Sequence, residues 1–193
     1  MKLMKTVASQ LPERWQTELK RLFFKRQIKK GTFITDEPEY NILDSFIKKG
    51  DWVIDIGANI GHYTKKFSEL VGENGRVISF EPVPVTFSLL ASNVQIFNHK
   101  NVTLINTAIS DKTEIVGFSI PKFSTGLKNY YEAHIESLST SSLSVLSISI
   151  DSLHMNQKIS LVKIDTEGHE LFVIEGMKNL IKESCPIPES VTL

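Results

Sequence analysis

Strand and helix patterns alternate through the middle of the sequence, and this alternation constrains the fold more than any other feature. Apolar segments with the composition of buried strands are separated by segments whose apolar residues recur at helical spacing. The strand patterns are WVIDI, RVISFEP and NVTLINTAI, and the helical patterns between them are HYTKKFSEL and PVTFSLLASNVQIF. Strands that alternate with helices through short connections form a parallel sheet. The sequence therefore predicts an α/β fold with a doubly wound, mostly parallel sheet.

The segments on either side of this alternation carry their own signals. A helix is predicted between Asp36, a capping residue, and Gly50, because apolar residues recur there at helical spacing. From position 111 to about position 150, short apolar segments and many serines predict a small antiparallel excursion. The segment LVKIDTEGHE then returns to the parallel scheme, with a strand and a helix that begins after Gly168.

The first 35 residues form a basic arm. They contain nine Lys and Arg residues against two Glu, a net charge of +7, whereas residues 36–193 carry a net charge of −7. The apolar residues at helical spacing within the arm are Trp15, Leu19, Leu22 and Phe23. We expect this helix to pack on the core with a solvated outer face; the alternative is a helix that docks on a membrane surface or an acidic polymer. The chain is therefore divided into a helical arm, residues 1–35, and one domain, residues 36–193.

The composition is that of one globular domain. The chain has 193 residues, of which 41% are apolar and 23% charged. No stretch approaches the run of about 18 apolar residues that a membrane helix needs, and the N-terminus lacks the apolar core of a secretory signal. A soluble, cytoplasmic protein is expected. The single cysteine, Cys185, has no second cysteine for a disulfide or a metal site and is interpreted as a spectator thiol.

Small and polar residues cluster where the predicted strands end, which is where an open parallel sheet binds ligands. These residues are Asp55, Gly57, Ala58, Asn59 and Gly61 after the first strand, Glu81 and Pro82 after the second, Thr107 and Ala108 after the third, and Asp165 and Glu167 after the fourth. The glycines let a ligand approach the backbone, and the next helix offers free amides to an anion. Glu81 is suited to accept hydrogen bonds from both hydroxyls of a ribose.

Two classes of ribose-containing ligand fit these strand ends. A nicotinamide site expects G-x-G-x-x-G, in which the second glycine admits the pyrophosphate. This chain has G-A-N-I-G, with Asp55 two residues before the first glycine. A carboxylate there suits the ammonium of an amino-acid moiety, and S-adenosylmethionine supplies a ribose, an ammonium and a carboxylate. The alternative without a ligand is that Gly57 and Gly61 only make a tight turn and Glu81 caps the next helix.

Four segments resemble the motifs of a known enzyme family. They are VIDIGANIGHYT, VISFEP, NTAISDKTE and ISLVKIDTEGHELFVIEGM. These motifs are similar to those of the FkbM-type methyltransferases, a branch of the Rossmann-like class I enzymes that use S-adenosylmethionine, from about residue 36 to residue 184. The resemblance implies methyl transfer to a hydroxyl of a sugar, polysaccharide, glycolipid or natural product. No nucleic-acid partner is expected.

The resemblance also implies roles for the strand-end residues. The loop from Asp55 to Gly61 would cradle the methionine end of the cofactor, and Glu81, followed by Pro82, would hold the ribose. The backbone of Thr107 and Ala108 would border the adenine. These assignments give each of the first three strand ends a part of one ligand to bind.

Two carboxylates after the fourth strand are the candidate catalytic groups. Asp165 and Glu167 lie beside the expected methyl position, and either would accept the hydroxyl proton or orient the acceptor. The alternative is that Asp165 binds loop amides and Glu167 caps the helix after Gly168. His169 is a weaker candidate. No metal is predicted, because two carboxylates alone do not form an oxygen cage.

The end of the sequence departs from the pattern of the family. Relatives continue through further strands, whereas this sequence ends at PIPESVTL. We therefore expect a sheet truncated after the fifth strand, and Pro186 and Pro188 predict a poor edge strand there. The open edge would be covered by a partner or a second copy of the chain, or it would stay uncovered. Two alternatives to an active methyltransferase are an inactive relative that serves as a binding or partner module and a nicotinamide-dependent oxidoreductase.

Overall fold

The computed structural model describes residues 11–121, 128–184 and 187–189, and the predictions for Cys185 and Pro186 concern residues outside these ranges. The strands are β1 (Trp52–Ile56), β2 (Arg76–Phe80), β3 (Val102–Ile105), β4 (Ala108–Ile109), β5 (Glu114–Ser119), β6 (His134–Glu136), β7 (Leu143–Ile148), β8 (Ile159–Ile164) and β9 (Ile187–Glu189). The α-helices are α1 (Glu13–Lys30), α2 (His62–Val71), α3 (Pro84–Val94), α4 (Glu170–Glu175) and α5 (Lys178–Ser184). Short 3-10 helices cover Pro38–Asn41, Leu43–Ser45, Tyr130–Glu132 and Ile150–Leu153.

The strands assemble into two sheets. The larger sheet is parallel and has the order β3-β2-β1-β8-β9, whereas the smaller has the order β4-β7-β5-β6, with β5 antiparallel to both of its neighbours. The predicted α/β fold with a mostly parallel sheet is confirmed, and so is the antiparallel excursion. The order of the larger sheet reverses between β1 and β8, and open sheets bind ligands at such a switch point.

Side chains on both faces of the larger sheet are buried. Successive strand residues point to opposite faces, so neighbouring residues of one strand pack in different clusters. Ile54 of β1 packs in a cluster that includes Val173 of α4. Its neighbour Val53 packs instead in a cluster with Phe67 and Val71 of α2. A strand that is covered on both faces is apolar along most of its length, which explains the continuous apolar runs in the sequence.

The predicted third strand, NVTLINTAI, is two strands that belong to different sheets. β3 pairs with β2, whereas β4 pairs with β7. Between them, the side-chain amide of Asn106 donates to the carbonyl oxygens of Glu81 and Pro82 at 2.7 and 3.0 Å. The chain therefore leaves the larger sheet next to the predicted ribose site.

The predicted single helix between Asp36 and Gly50 is wrong, because this segment forms two short 3-10 helices. Proline disfavours the helical conformation of the residue before it. Glu37, which precedes Pro38, accordingly has an extended backbone with ψ of 131°. The extended backbone at Glu37 therefore prevents a continuous helix that begins at Asp36.

The predicted helix after Gly168 is divided into α4 and α5. The carbonyl oxygen of Gly176 accepts a hydrogen bond from the backbone N–H of Asp151 at 3.0 Å. The carboxylate of Asp151 in turn accepts from the N–H groups of Asn179 and Leu180 at 2.9 and 3.0 Å. Asp151 therefore ends one helix and caps the first turn of the next.

The basic arm contains α1, which packs on the core through a different face from the expected one. Phe24 and Ile28 lie in a cluster with Phe33, and Arg21 donates to the carbonyl oxygen and hydroxyl of Ser88 at 3.0 and 2.9 Å. The predicted apolar face is solvent-exposed, with Trp15 62% exposed. Among the described residues, no helix has the length and apolar character to cross a bilayer.

Candidate functional site

A pocket opens at the carboxyl ends of β1, β2 and β8 and is bounded on its far side by the smaller sheet. The space between its walls is about 610 Å³, a figure that includes the part open to solvent. Its lining residues are Ile56, Gly57, Asn59, Phe80, Glu81, Pro82, Val83, Thr107, Ala108, Ile109, Phe118, Tyr130, Ala133, Ile135, Asp165, Thr166, Glu167 and His169. The pocket therefore contains most of the residues that the sequence predicts for the site.

The register of the parallel strands explains why these residues meet. The last residues of β1, β2 and β8 are direct partners, centred on Ile56. The residues that follow them are Gly57, Glu81 and Asp165, and each lines the pocket. Parallel strands place their carboxyl ends at one edge of a sheet, so residues far apart in sequence form one site.

Gly57 lies where the backbones of two strand ends come closest. Its φ is +76°, and a Cβ at this position would lie 1.8 Å from the carbonyl oxygen of Asp165. Its N–H donates to the carbonyl oxygen of Phe80 at 3.0 Å. Because glycine alone has neither the steric conflict nor the conformational cost of positive φ, this position requires glycine.

Glu81 is a buried carboxylate that ties two loops together. Its side-chain oxygens accept hydrogen bonds from the N–H groups of Asn59 at 2.9 Å and Val83 at 3.0 Å. Burial raises the pKa of Glu81 to about 7, against the opposing effect of these hydrogen bonds. Val83 directly precedes α3, so this hydrogen bond agrees in part with the alternative that Glu81 caps the next helix. Each carboxylate oxygen has a second acceptor site, so Glu81 can also accept hydrogen bonds from the hydroxyls of a ligand in the pocket.

A polar row crosses the larger sheet beneath the glycine loop. Ser79, Asp55 and Lys163 are adjacent on β2, β1 and β8. Asp55 is fully buried; its Oδ2 accepts a hydrogen bond from the hydroxyl of Thr64 at 2.6 Å, and its Oδ1 has no partner in the described part of the chain. Burial raises the pKa of Asp55, and the charge of Lys163 opposes this shift. Asp55 lies beneath the pocket lining, so its contact with a ligand ammonium stays a prediction.

The other predicted cofactor residues divide between the lining and the turn behind it. Asn59, Pro82, Thr107 and Ala108 line the pocket. Ala58 and Gly61 form the turn, in which the N–H of Gly61 donates to the carbonyl oxygen of Ala58 at 2.9 Å. A Cβ on Gly61 would lie 2.6 Å from Cδ1 of Leu90 on α3. Gly61 therefore allows close contact between this turn and α3, in addition to the predicted cofactor role.

The two predicted catalytic carboxylates both line the pocket, but their surroundings differ. Asp165 accepts a hydrogen bond from the Lys163 ammonium at 2.9 Å. Glu167 has a left-handed backbone, with φ of +48°. Its pKa is raised, first by burial and then by the charge of neighbouring carboxylates. A carboxylate with a raised pKa is a better proton acceptor than an ordinary one.

The alternative roles for these carboxylates do not match the contacts in the loop. The backbone N–H groups of Thr166 and Gly168 donate to a carboxylate oxygen of Glu170 at 3.2 and 3.1 Å. Glu170 therefore binds the loop amides that the alternative assigned to Asp165, and α4, whose N-cap residue is His169, has no side-chain cap from Glu167. Asp165 and Glu167 line the pocket instead.

His169, the weaker catalytic candidate, also lines the pocket. Its Nε2 lies 2.9 Å from the hydroxyl oxygen of Ser110, and its ring stacks on Phe172 with 4.5 Å between centroids. Burial lowers the pKa of His169, which favours the neutral ring. Across the described ranges, no group of three or more His, Cys, Asp or Glu side chains is arranged to hold a metal ion.

Sequence reasoning missed the wall of the pocket that lies opposite the strand ends. Phe118, Tyr130, Ala133 and Ile135 belong to this wall. The hydroxyl of Tyr130 donates to the carboxylate of Glu13 on α1. These residues come from the antiparallel excursion, and no local pattern in the sequence indicates which part of the parallel sheet it covers.

Comparison with known proteins identifies a matching domain. A family model described as the methyltransferase FkbM domain matches residues 55–187, which include every residue of the pocket lining. A solved structure of a methyltransferase FkbM from Methylobacillus flagellatus KT is similar in fold, with a TM-score of 0.50 and 18% identity. The similarity covers 74% of this chain and 32% of that chain.

Two curated proteins match a shorter part of the sequence. The protein-L-isoaspartate O-methyltransferase of Methanococcus aeolicus is 34% identical over 59 residues, which are 31% of this chain and 27% of that protein. The enzyme of the same name from Methanococcoides burtonii is 32% identical over 60 residues, which are 31% of this chain and 30% of that protein. The chain therefore matches about a third or less of the length of these relatives.

Proposed function

Because the chain belongs to the FkbM methyltransferase family, we propose that it transfers a methyl group from S-adenosylmethionine to a hydroxyl oxygen of a sugar, polysaccharide, glycolipid or natural product. The family match confirms the resemblance of the sequence motifs, and S-adenosylmethionine is the cofactor of this class of enzyme. The observation that carries the proposal is the pocket itself, in which Glu81 and Gly57 adjoin the carboxylates of Asp165 and Glu167. Binding groups for a nucleoside and proton acceptors are thus present in one cavity.

The residues of the pocket fit the chemical groups of this cofactor. The buried carboxylate of Glu81 suits the two ribose hydroxyls, because each of its oxygens retains an acceptor site. Gly57 lets the end of β8 approach the glycine loop, because a Cβ would lie 1.8 Å from the carbonyl oxygen of Asp165, and we assign this loop to the methionine end. Asp55 lies beneath the same loop, and its Oδ1, which has no partner among the described residues, is the acceptor that we assign to the ammonium.

The chemistry assigned to the chain is proton removal and alignment. When bound, the cofactor supplies a sulfonium methyl, an electrophile that needs no further activation. We assign Glu167 as the group that takes the acceptor's hydroxyl proton as the oxygen–methyl bond forms and the methyl–sulfur bond breaks. Asp165, held by Lys163 at 2.9 Å, orients the acceptor. Alignment of oxygen, carbon and sulfur in one line provides much of the rate.

Oxygen is the acceptor atom that best suits these groups. A hydroxyl has to lose its proton during transfer, and a carboxylate with a raised pKa, such as that of Glu167, provides an acceptor for it. The two curated relatives are also O-methyltransferases by name. Nicotinamide-dependent hydride transfer is disfavoured, because the G-A-N-I-G loop lacks the glycine that admits a pyrophosphate.

Affinity for S-adenosylhomocysteine is expected to rise about tenfold between pH 6 and pH 8. Ribose hydroxyls donate to the ionised form of Glu81, whose pKa is raised by burial to about 7 in the free chain. Binding therefore lowers this pKa and releases a proton, so affinity increases as pH rises through 7. Calorimetric titration at several pH values measures the effect.

The Glu81→Gln variant is the matched control for this dependence, because it retains the size and an acceptor oxygen but does not ionise near pH 7. Its affinity is expected to stay nearly constant between pH 6 and pH 8. An equal rise in the variant would assign the dependence to another group.

The proposed reaction is tested by incubating the full chain with S-adenosylmethionine and saccharide or glycolipid acceptors. Mass spectrometry then follows S-adenosylhomocysteine and the methylated acceptor. We expect equal amounts of both products, with the methyl group on oxygen, and loss of both in Glu81→Ala. Methylation on nitrogen or carbon, or turnover that does not depend on the acceptor hydroxyl, would contradict the proposal.

A further inference from the structure

The outward face of α1 is apolar and exposed. Four large side chains lie within one face of the helix at helical spacing, and their exposed fractions are 62% for Trp15, 48% for Leu19, 64% for Leu22 and 57% for Phe23. The helix is held on the core by its opposite face, through Phe24 and Ile28. Among the described residues, contact with the core therefore leaves the outward face open, and a contiguous exposed apolar patch of this kind marks an interaction surface.

The unpaired charges along α1 are positive. Five exposed basic residues lie along α1, namely Arg14, Lys25, Arg26, Lys29 and Lys30. Within the described ranges none of the five has an ion-pair partner, whereas the two acidic residues of α1 are both paired, Glu13 with Lys128 and Glu18 with Arg21. The exposed face thus combines apolar side chains with uncompensated positive charge.

We propose that α1 docks in the plane of an anionic lipid bilayer, with Trp15, Leu19, Leu22 and Phe23 inserted between headgroups and the basic residues at the lipid phosphates. An interfacial helix needs both an apolar face that enters the headgroup boundary and cations that bind anionic lipids. A nucleic acid would use the cations and leave the Leu and Phe side chains in water. The four exposed apolar residues therefore favour the bilayer over a nucleic acid.

The helix α1 contacts the wall of the pocket in which the acceptor would bind. The first turn of α1 contacts the pocket wall, because Glu13 accepts a hydrogen bond from Tyr130, and the Lys20 ammonium lies 5.2 Å from the centre of the Tyr130 ring. Docking of α1 would hold this wall close to the bilayer. In this respect the inference rests on the proposed function, and it favours an acceptor carried on a lipid.

Vesicle sedimentation of the full chain tests the docking. We expect binding to vesicles of phosphatidylglycerol and phosphatidylcholine, weaker binding to pure phosphatidylcholine, and a decrease in binding with salt. Leu22→Ser with Phe23→Ser is expected to reduce partitioning about tenfold or more. The matched control is Ile42→Ser with Leu138→Ser, which removes two side chains of similar exposure, 52% and 54%, outside α1 and is expected to leave partitioning unchanged.

The fluorescence of Trp15 gives a second measurement. The chain has two tryptophans, so Trp52→Phe leaves Trp15 as the only reporter. Its emission is expected to shift to the blue on anionic vesicles, because the indole moves from water into the headgroup region. Unchanged emission on vesicles that sediment the chain would overturn the assignment of α1 as the docking element.

Three further results would overturn the proposal. They are no sedimentation with any vesicle, sedimentation that Leu22→Ser and Phe23→Ser do not alter, and RNA binding through the same basic residues without vesicle binding. A dimer that forms through the α1 face and prevents docking would also overturn it. Glu81→Ala is expected to lose cofactor binding and keep vesicle binding, so a failure of the proposed function is distinguishable from a failure of docking.

Discussion

Replacement of Gly57 by alanine is expected to abolish measurable binding of S-adenosylhomocysteine and to lower the free energy of unfolding by about 3 kcal/mol or more. The new Cβ would lie 1.8 Å from the carbonyl oxygen of Asp165, so the ends of β1 and β8 have to separate. The left-handed φ of +76° adds a conformational cost for any residue with a side chain. Chemical denaturation measures the stability, and calorimetric titration measures the binding.

Gly31→Ala is the matched control, since it separates the backbone cost from the steric conflict. Gly31 has a nearly identical φ of +71°, and no heavy atom lies within 4 Å of its Cβ position. It is expected to lose about 1 kcal/mol of unfolding free energy and to retain its affinity for S-adenosylhomocysteine. Equal losses in the two variants would show that the close approach of Gly57 and Asp165 has no energetic consequence.

Replacement of Glu167 by glutamine is expected to lower kcat by roughly 100- to 10,000-fold, the usual contribution of a general base. The amide keeps the size of the side chain but cannot accept the proton. Affinity for the cofactor is expected to change little, because Glu167 is assigned to the acceptor. In the parent chain, kcat is expected to fall as pH drops through the raised pKa of Glu167, because only the ionised carboxylate accepts a proton.

Two further variants identify the base. Glu132→Gln removes one of the charges that raise the pKa of Glu167, so it should preserve kcat at neutral pH and move the acidic limb of the profile to lower pH. Asp165→Asn should reduce activity chiefly through the acceptor KM, since we assign Asp165 to orientation. A large loss of kcat in Asp165→Asn, together with an active Glu167→Gln, would exchange the two roles.

The strand-end residues of the site were predictable from the sequence for a physical reason. A parallel sheet brings the carboxyl ends of its strands to one edge, so a reader who identifies the strands also identifies Gly57, Glu81 and Asp165 as neighbours. Two members of the polar row, Ser79 and Lys163, were not predicted, although their spacing in the sequence indicates them. Ser79 and Lys163, like Asp55, stand two positions before these neighbours, and the period of two places all three on one face.

Other parts of the structure depend on tertiary contacts that local patterns do not contain. The far wall of the pocket, with Phe118 and Tyr130, comes from the antiparallel excursion, whose described strands pair with one another and with β4. The orientation of α1 was also not predictable, because Phe24 and Ile28 form a second apolar face. The chain buries this smaller face and exposes the larger one, so the hydrophobic pattern alone indicates the wrong contact.

The most direct test is calorimetric titration of S-adenosylhomocysteine into the full chain, in parallel with Glu81→Ala, with both proteins shown to be folded by circular dichroism. We expect saturable binding in the micromolar range by the parent and none by the variant, because Glu81 holds the ribose in the pocket at the strand ends. A folded parent without binding, or a folded variant that binds as tightly as the parent, would contradict the assignment of this pocket as the cofactor site.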